Sequence, residues 1–186
     1  DGIRYSIECS GEWYAVALNP TNRREVLIST EFDGTIHRSV DGGNSWRTVF
    51  RHPEAGHGGP QESRHGFKDI AYAPSDPGII YAGMRKGRRS IGGDFLPKPS
   101  FGMYKSIDGG KTWSAINAGL STSFLNINAI AVHPANPDIV YIGTWRDGVF
   151  RTTDGGGRWE PKSNGLVSSA IRSLAIDPQN PSVIYA

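Results

Sequence analysis

The chain has 186 residues, of which 37% are hydrophobic, and a formal net charge of +2, so it can form one ordinary domain with a buried core. The charge is too small to indicate nucleic-acid binding by itself, the single cysteine excludes an internal disulfide framework, and no run approaches the ~18–20 apolar residues of a membrane helix. Glycine (24) and proline (12) make up about a fifth of the chain, which is typical of short strands joined by tight turns.

One pattern runs four times along the chain: an apolar run, a turn containing proline, and a second apolar run. The copies are VALNPTNRREVLIST from Val16, IAYAPSDPGIIYAG from Ile70, IAVHPANPDIVYIG from Ile130 and LAIDPQNPSVIYA from Leu174. Their equivalent alanines are 54, 60 and 44 residues apart, at Ala17, Ala71, Ala131 and Ala175. The shortest spacing indicates the bare repeat unit, and the longer ones indicate insertions.

Each unit predicts four strands. In the third unit, the runs 127–133, 139–144 and 149–153 have period-2 patterning and β-branched residues, and a fourth strand starts at Trp159. The turns PANP and DGGGR separate these strands, because proline cannot continue a ladder and glycine favours turns. Four strands per ~40–45 residues form the blade of a β-propeller. The predicted fold is therefore all-β, with four-stranded antiparallel blades and no helix of useful length.

The predicted blades follow one another along a single domain, 1–186. The first covers about 13–51, the second 67–116 and the third 127–162, while the fourth, 171–186, holds only its first strands. Propellers have about four to eight blades. We therefore expect the chain to be part of a larger ring, completed by a further segment or a partner chain. Closure by an N-terminal strand is the alternative, since DGIRYSIE resembles DGVFRTTD.

A second pattern, Ser or Thr, any residue, Asp-Gly-Gly, two residues and Trp, occurs three times, as SVDGGNSW (39–46), SIDGGKTW (106–113) and TTDGGGRW (152–159). The aspartate can accept hydrogen bonds from turn amides, the glycines permit positive φ, and the tryptophan packs on the hairpin. A structural role is predicted for Ser39, Asp41, Gly43, Trp46, Ser106, Asp108, Gly110, Trp113, Thr152, Asp154, Gly156 and Trp159. A catalytic or phosphate-binding role is the alternative, although a phosphate loop also requires a following helix.

The pattern S/T-x-D-x-G-x-x-W resembles the Asp-box, also called the BNR repeat. The longer frame A-x-x-P-x-N-P-x-x-I-Y-x-G-T, followed by V-F-R-S/T-x-D-G-G-x-x-W, resembles Asp-box propellers of three groups. These are the xyloglucanase-type glycoside hydrolases, the photosystem II assembly-factor-like proteins and the sortilin-type receptors. The resemblance covers residues 13–186, and it implies that the box is structural and that the protein is extracytoplasmic or secreted. No cofactor is expected.

Two insertions, 51–66 and 85–102, are predicted on the face opposite to the Asp-Gly-Gly turns, where loops on a rigid scaffold carry function. The second insertion holds one acid, Asp94, and five basic residues: Arg85, Lys86, Arg88, Arg89 and Lys98. Arginine suits bidentate contacts to carboxylate, sulfate or phosphate, so this loop is a candidate anion site. The alternative is a solvated loop. Aromatic residues are too few there for a nucleic-acid platform.

The first insertion holds three histidines, His52, His57 and His65. Three histidines in a short loop can bind a metal, but their spacing matches no standard zinc pattern. The prediction is therefore a polar loop without a metal, with these histidines as the candidates if one is bound.

Trp145, in GTWRDG, is a tryptophan outside the Asp-Gly-Gly pattern. On the loop face, an exposed indole can stack on a sugar or anchor a peptide, and packing against a neighbouring loop is the alternative. Trp145 and the adjacent Arg146 are therefore candidate ligand-binding residues.

Carboxylates separate enzymatic from binding functions. A glycoside hydrolase needs two of them across a cleft, one with a raised pKa. In the xyloglucanase-type enzymes that the chain resembles, one catalytic Asp follows the second strand of a blade, in a stretch like Y-A-R-T-D-x-G-G. That position holds Glu31, Arg85 and Trp145 here, so the motif is not kept. Glu31 and Asp94 are the candidates for a catalytic carboxylate.

Two functions fit these observations. The first is a non-enzymatic binding or assembly scaffold that holds a protein or glycan through the loop face formed by 51–66 and 85–102. The second is part of a secreted, xyloglucanase-like glycoside hydrolase acting on polysaccharide. The hydrolase predicts a second carboxylate about 5–10 Å from Glu31 or Asp94, whereas the scaffold predicts binding through Arg88 and Arg89. Neither function involves nucleic acid or a membrane span.

Overall fold

The computed structural model describes residues 13–30, 34–53, 66–85, 102–120 and 125–186, with side chains from Ala15 onward. Within these ranges all regular secondary structure is β. The strands are β1 (Trp13–Leu18), β2 (Val26–Thr30), β3 (Thr35–Ser39), β4 (Arg47–Arg51), β5 (Gly66–Ala73), β6 (Asp76–Arg85), β7 (Met103–Ser106), β8 (Ser114–Ala115), β9 (Ile127–Val132), β10 (Val140–Thr144), β11 (Val149–Thr152), β12 (Glu160–Pro161), β13 (Ala175–Ile176) and β14 (Ile184–Tyr185).

Three four-stranded sheets and one strand pair make up the described part of the chain. The sheets have the orders β1-β2-β3-β4, β5-β6-β7-β8 and β9-β10-β11-β12, and β13 pairs with β14. All neighbouring strands are antiparallel. Each sheet is therefore a meander in chain order, and the predicted all-β fold of four-stranded antiparallel sheets is confirmed.

The first strands of the sheets contact one another in sequence. β1 packs against β5, β5 against β9, and β9 against β13. The sheets are thus stacked face to face in chain order, with their first strands adjacent. Alternation along a strand sets which side chains enter these contacts: in β1, Ala15 and Ala17 are buried, whereas Val16 and Leu18 are exposed.

Two apolar clusters fill the spaces between successive four-stranded sheets. Between the first and second sheets, Leu27 and Ile36 pack with Phe67 and Met84, all fully buried. The phenyl ring of Phe50, on β4, lies 5.5 Å from that of Phe67, edge to face. The second cluster joins the second and third sheets, and its fully buried members include Tyr81, Met103, Ile127, Val140 and Ile142. Each sheet is therefore held by the one that follows it, and apolar burial supplies most of the attraction.

Polar contacts also cross the boundary between the first and second sheets. The Tyr72 hydroxyl donates to Glu25 Oε1 at 3.0 Å, and Arg38 Nη2 lies 2.8 Å from the same oxygen. Glu25 is buried, so its carboxylate is matched by a cation and a hydroxyl, as a buried charge requires.

The boundary between the second and third sheets carries different contacts. Asp69 Oδ2 accepts the backbone N–H of Ile130 at 2.7 Å, and the Tyr81 hydroxyl donates to the carbonyl of Pro137 at 2.9 Å. Lys105 Nζ lies 3.4 Å from Asp138 Oδ1. At the next boundary, Asn128 Nδ2 donates to the carbonyl of Ile171 at 2.8 Å. Similar strands are therefore joined by a different set of polar groups at each boundary.

Candidate ligand-binding cleft and the Asp-Gly-Gly turns

The first Asp-Gly-Gly turn is closed by its own side chains. Ser39 Oγ donates to Asp41 Oδ1 at 2.7 Å and accepts the N–H of Gly43 at 2.8 Å. Asp41 in turn accepts the N–H of Ser45 at 2.9 Å and the Ser45 hydroxyl at 2.5 Å. Gly43 has φ of 94°, a conformation that glycine adopts without the steric cost of a Cβ.

The other two turns repeat most of these bonds. Ser106 and Asp108 bond as their counterparts do, with Thr112 supplying the hydroxyl that reaches Asp108 Oδ2 at 2.6 Å. In the third turn, Thr152 Oγ1 donates to Asp154 Oδ1 at 2.6 Å, and the N–H of Arg158 reaches the same oxygen at 3.0 Å. Arg158 stands where the other turns have a hydroxyl residue, so the third turn has one hydroxyl bond fewer.

These hydrogen bonds favour the ionised carboxylates. The bond from the Ser45 side chain is the main cause that holds the pKa of Asp41 well below its ordinary value. The Thr112 side chain does the same for the pKa of Asp108, and the Thr152 hydroxyl lowers the pKa of Asp154. A general acid requires a raised pKa, so these three side chains are suited to accepting turn hydrogen bonds and unsuited to donating a proton.

The tryptophans of the three turns differ in the carbonyl group to which the indole N–H donates. Trp46 Nε1 donates to the carbonyl of Gly43 at 3.0 Å, and Trp113 Nε1 donates to that of Gly110 at 3.1 Å. Trp159 Nε1 instead donates to the carbonyl of Ile116, at 2.7 Å, in the connection that follows the second sheet. Trp159 is also only 1% exposed. The prediction that the ring packs on its own hairpin therefore misses the contact of the third tryptophan with the preceding sheet.

Each Asp-Gly-Gly turn is bonded to the turn between the first two strands of its sheet or, in the second sheet, to the start of the second strand. The backbone bonds are Gly42 N to Arg24 O (2.8 Å), Gly109 N to Gly78 O (2.9 Å) and Gly155 N to Asp138 O (2.9 Å). These two kinds of turn therefore share one end of the strands. Because the strands are antiparallel, the connections between second and third strands lie at the opposite end.

A cleft of about 380 Å³ lies at this opposite end, between the second sheet, the third sheet and the segment that precedes β13. Its lining side chains are Lys68, Arg85, Asn128, Trp145 and Arg172. In the second sheet, the start of β5 pairs with the end of β6, which brings the first two of these side chains to one edge. The third sheet supplies Asn128 and Trp145, and the segment before β13 supplies Arg172.

Backbone bonds between sheets hold the loop that carries Trp145. The N–H of Trp145 donates to the carbonyl of Asn126 at 3.0 Å, and the N–H of Ile171 donates to the carbonyl of Thr144 at 2.8 Å. The indole is 42% exposed, and the guanidinium carbon of Arg172 lies 5.9 Å from the centroid of an indole ring. This is within cation–π range, so the two side chains form one composite surface.

The structure brings together two of the sequence-predicted binding residues, Arg85 and Trp145. Arg146 is exposed on the same loop but does not line the cleft. The other predicted binding residues, Lys86, Arg88 and Arg89, lie outside the described residues. So do the candidate catalytic carboxylates, Glu31 and Asp94.

His52, a candidate metal ligand, is 1% exposed and lies in the core. Its Nε2 is 2.8 Å from the Tyr104 hydroxyl, and the two rings meet edge to face at 5.7 Å. His57 and His65 are outside the described residues. Among the residues that the structure describes, no group of three or more His, Cys, Asp or Glu side chains is placed to hold a metal ion.

Sequence reasoning missed Lys68, Asn128 and Arg172, which complete the cleft. A signal for them exists, because each precedes its marker alanine by the same number of residues: Ala71, Ala131 and Ala175. All three are polar and occupy the same repeat position, which lies in the first strand of the second and third sheets and just before β13 in the fourth unit. Aligning the repeat copies position by position would have placed all three on one edge.

No helix in the described ranges is long and apolar enough to cross a membrane.

No protein-family model matches the sequence, and a comparison with curated proteins finds no match. Solved structures do match. An ancestral GH74 enzyme is 22% identical with a TM-score of 0.65, over 91% of this chain and 21% of that chain. YCF48 bound to a D1 peptide is 16% identical with a TM-score of 0.61, over 93% of this chain and 47% of that chain.

An auxiliary nutrient binding protein from Bacteroides thetaiotaomicron also matches, at 15% identity and a TM-score of 0.59, over 91% of this chain and 34% of that chain. The chain thus spans less than half of the length of each of these three structures. At these identities the likeness shows the fold alone. It confirms the predicted β-propeller fold, of which the described sheets are blades.

Proposed function

We propose that this chain belongs to a non-enzymatic propeller that acts as a binding or assembly scaffold for a protein or glycan partner. The observation that carries the proposal is the cleft, where three cationic side chains, an exposed indole and an amide converge from the second sheet, the third sheet and the segment before β13. Ligand sites in proteins combine a concave apolar surface with a few convergent polar groups. The cleft supplies such convergent polar groups around one aromatic side chain, and it lies on the end of the sheets where binding loops are expected.

We further propose that the three Asp-Gly-Gly turns are Asp-box, or BNR, repeats with a structural role. Supporting this, each aspartate bonds to its own turn and has a lowered pKa. The turns also lie at the end of the strands away from the cleft. In this proposal the cleft binds the ligand, and the Asp-boxes stabilise the turns of the sheets.

The partner classes follow from what similar structures bind, taken as suggestions for this chain. One similar structure contains a D1 peptide, and another is described as a nutrient binding protein. Both fit a scaffold whose loop face grips a protein or a glycan. The predicted contribution of the insertions 51–66 and 85–102 to this face, and an extracytoplasmic or secreted location, are parts of the same proposal.

A glycoside hydrolase is the second candidate, because an ancestral GH74 enzyme is among the similar structures. Against it, Arg85 ends the second strand of the second sheet, and Trp145 follows the second strand of the third sheet. Both line the cleft without supplying a carboxylate. In the described part of the chain, the lining of the cleft therefore lacks the acid–base pair that glycoside hydrolysis requires.

Hydrolysis and binding assays on the same preparation separate the two functions. The scaffold predicts no release of reducing ends from a panel of polysaccharides that includes xyloglucan. It also predicts retention on a glycan or peptide array that falls when Arg85 and Arg172 are both changed to alanine. Glu31→Gln should leave both results unchanged. Turnover that Glu31→Gln abolishes, with the fold retained by circular dichroism, would establish the hydrolase instead.

A further inference from the structure

We propose that the cleft formed by Lys68, Arg85, Asn128, Trp145 and Arg172 binds a carboxylated sugar, a uronic acid residue within a polysaccharide. The inference rests on the proposed binding function and names the ligand class for that same site. It is argued from charge, from the paired side chains of Trp145 and Arg172, and from the amide of Asn128.

The charge of the cleft selects an anion. Three of its five lining side chains are cationic, and among the described residues none that lines it is acidic. Arg85 and Arg172 are exposed at its edges. Lys68 is partly buried and directly precedes Asp69 in the chain. Arg85 and Arg172 are therefore the exposed cations of the cleft, and guanidinium groups bind carboxylates in bidentate geometry.

The stacked pair of Trp145 and Arg172 suits a ring that bears one carboxylate. The guanidinium lies over the indole at 5.9 Å, within the range of a cation–π contact, so the cationic group and the ring face the cleft side by side. The indole remains 42% exposed, so apolar surface is left for the C–H face of a sugar ring. A ligand that places a ring on the indole therefore puts a carboxylate substituent within reach of the guanidinium.

Asn128 favours a ligand that also carries hydroxyl groups. Its Nδ2 donates to the carbonyl of Ile171 at 2.8 Å, which fixes the orientation of the amide and leaves its oxygen as an acceptor. An acceptor oxygen binds a hydroxyl but repels an oxyanion. The cleft therefore fits one carboxylate among hydroxyls better than it fits a polyphosphate or a run of acidic side chains.

The size of the cleft agrees with this ligand. Its volume of about 380 Å³ lies at the lower end of the roughly 300–1,000 Å³ of small-molecule sites. One or two sugar residues fit such a volume, and the rest of a polysaccharide would extend beyond it. The cleft therefore recognises one uronate unit, at an internal or a terminal position of the polysaccharide.

The test is a calorimetric titration of the chain with tetragalacturonate. Its fully methyl-esterified form is the matched ligand control, because esterification removes the charge and keeps the rings and all of the sugar hydroxyls. Binding should weaken by about tenfold or more on esterification and in Arg172→Ala, since each change removes a charge-assisted hydrogen bond. Arg172→Lys should recover little, because lysine keeps the charge but loses the bidentate fork.

Arg158→Ala is the matched protein control, since it removes one exposed arginine at the opposite end of the sheets. It should bind tetragalacturonate as the unaltered chain does. Equal affinity for the ester, or no binding of the acid at millimolar concentration, would overturn the inference. Tighter binding of tetraglutamate than of tetragalacturonate would also overturn it, by assigning the cleft to an acidic peptide, yet the proposed scaffold function would stand. The polysaccharide turnover assay judges that function separately.

Discussion

Gly83, near the end of β6, lies against Ile127, the first residue of β9, so closely that a Cβ at Gly83 would be 2.3 Å from Ile127 Cγ2. Gly143 in β10 has the same relation to Ile171 of the following segment, at 2.4 Å. In the first sheet the equivalent residue is Ser29, whose hydroxyl donates to the carbonyl of Phe67 at 2.5 Å. A small residue at this point therefore lets the next sheet approach.

Gly83→Ala should destabilise the protein by about 1–3 kcal/mol, because the added methyl group overpacks the boundary between the second and third sheets. Chemical unfolding followed by tryptophan fluorescence measures the change. Ser114→Ala, at an exposed position of the same sheet, is the control and should stay within about 0.5 kcal/mol of the unaltered protein. An unchanged unfolding midpoint for Gly83→Ala would contradict the close packing.

Trp159→Ala should be more destabilising than Trp46→Ala. Trp159 is 1% exposed and joins the second and third sheets, and removing a buried tryptophan costs about 3–5 kcal/mol. Trp46 is only partly buried, so its removal should cost less. Urea denaturation of the two variants gives the comparison. Equal losses would show that the third tryptophan contributes no more than the first.

Arg158→Thr should raise the melting temperature. Thr112, at the equivalent place in the second turn, donates its hydroxyl to Asp108 Oδ2 at 2.6 Å, and the substitution would offer Asp154 the same bond. Arg158→Val is the matched control, because valine has the shape of threonine without the hydroxyl. Differential scanning calorimetry should place the threonine variant above the valine variant, and the reverse order would reject the interpretation of the turn.

The free energy of unfolding should decrease as the pH rises from about 4 to beyond 6, because Asp69 then loses its proton in the folded protein. Burial raises the pKa of Asp69 from 3.8 to about 6, against the lowering effect of the N–H groups of Ile130 and Ile70. The folded protein therefore holds this proton more tightly than the unfolded chain does. The resulting stabilisation is complete below about pH 4 and is lost as the pH rises through about 6. The difference between the two pKa values corresponds to about 3 kcal/mol.

Asp69→Asn removes this titration with little change of shape. The free energy of unfolding, measured for both proteins between pH 4 and pH 7.5, should fall more steeply with pH in the unaltered protein. The aspartates of the Asp-Gly-Gly turns have lowered pKa values, so their contributions are lost as the pH falls, from about pH 5 downward, and to the same extent in both proteins. Parallel curves for the two proteins would show that Asp69 titrates normally.

Local pattern was enough to predict much of this fold. The runs 127–133, 139–144 and 149–153 correspond to β9, β10 and β11 within one residue at each end, because alternating apolar residues and turn-forming glycine and proline act within a few residues of each other. The outermost strands were harder to delimit. β8 and β12 have two residues each, and their exposed side chains leave little apolar pattern to detect.

The cleft was predicted only in part, since its residues meet through the stacking of sheets. Arg85 and Trp145 were noticed because their loops are unusual in charge or aromatic content. Lys68 and Arg172 lie in stretches without such a signal, and they come together only when the second sheet, the third sheet and the segment before β13 are assembled. Their equivalence in the repeat was visible in the sequence, but their convergence on one cleft depends on the packing between sheets.

The polar contacts between sheets have a consequence for how the repeats recognise one another during folding. Tyr72, which reaches Glu25 across the first boundary, is replaced by Val132 in the third unit, and Asp69 is replaced there by Ala129. Pairing the wrong units would therefore leave the buried carboxylate of Glu25 without its hydroxyl partner, which is costly. Mispairing is a characteristic failure of repeat proteins. The unlike boundaries thus encode the order of the blades, so that units with the same strand pattern are not interchangeable.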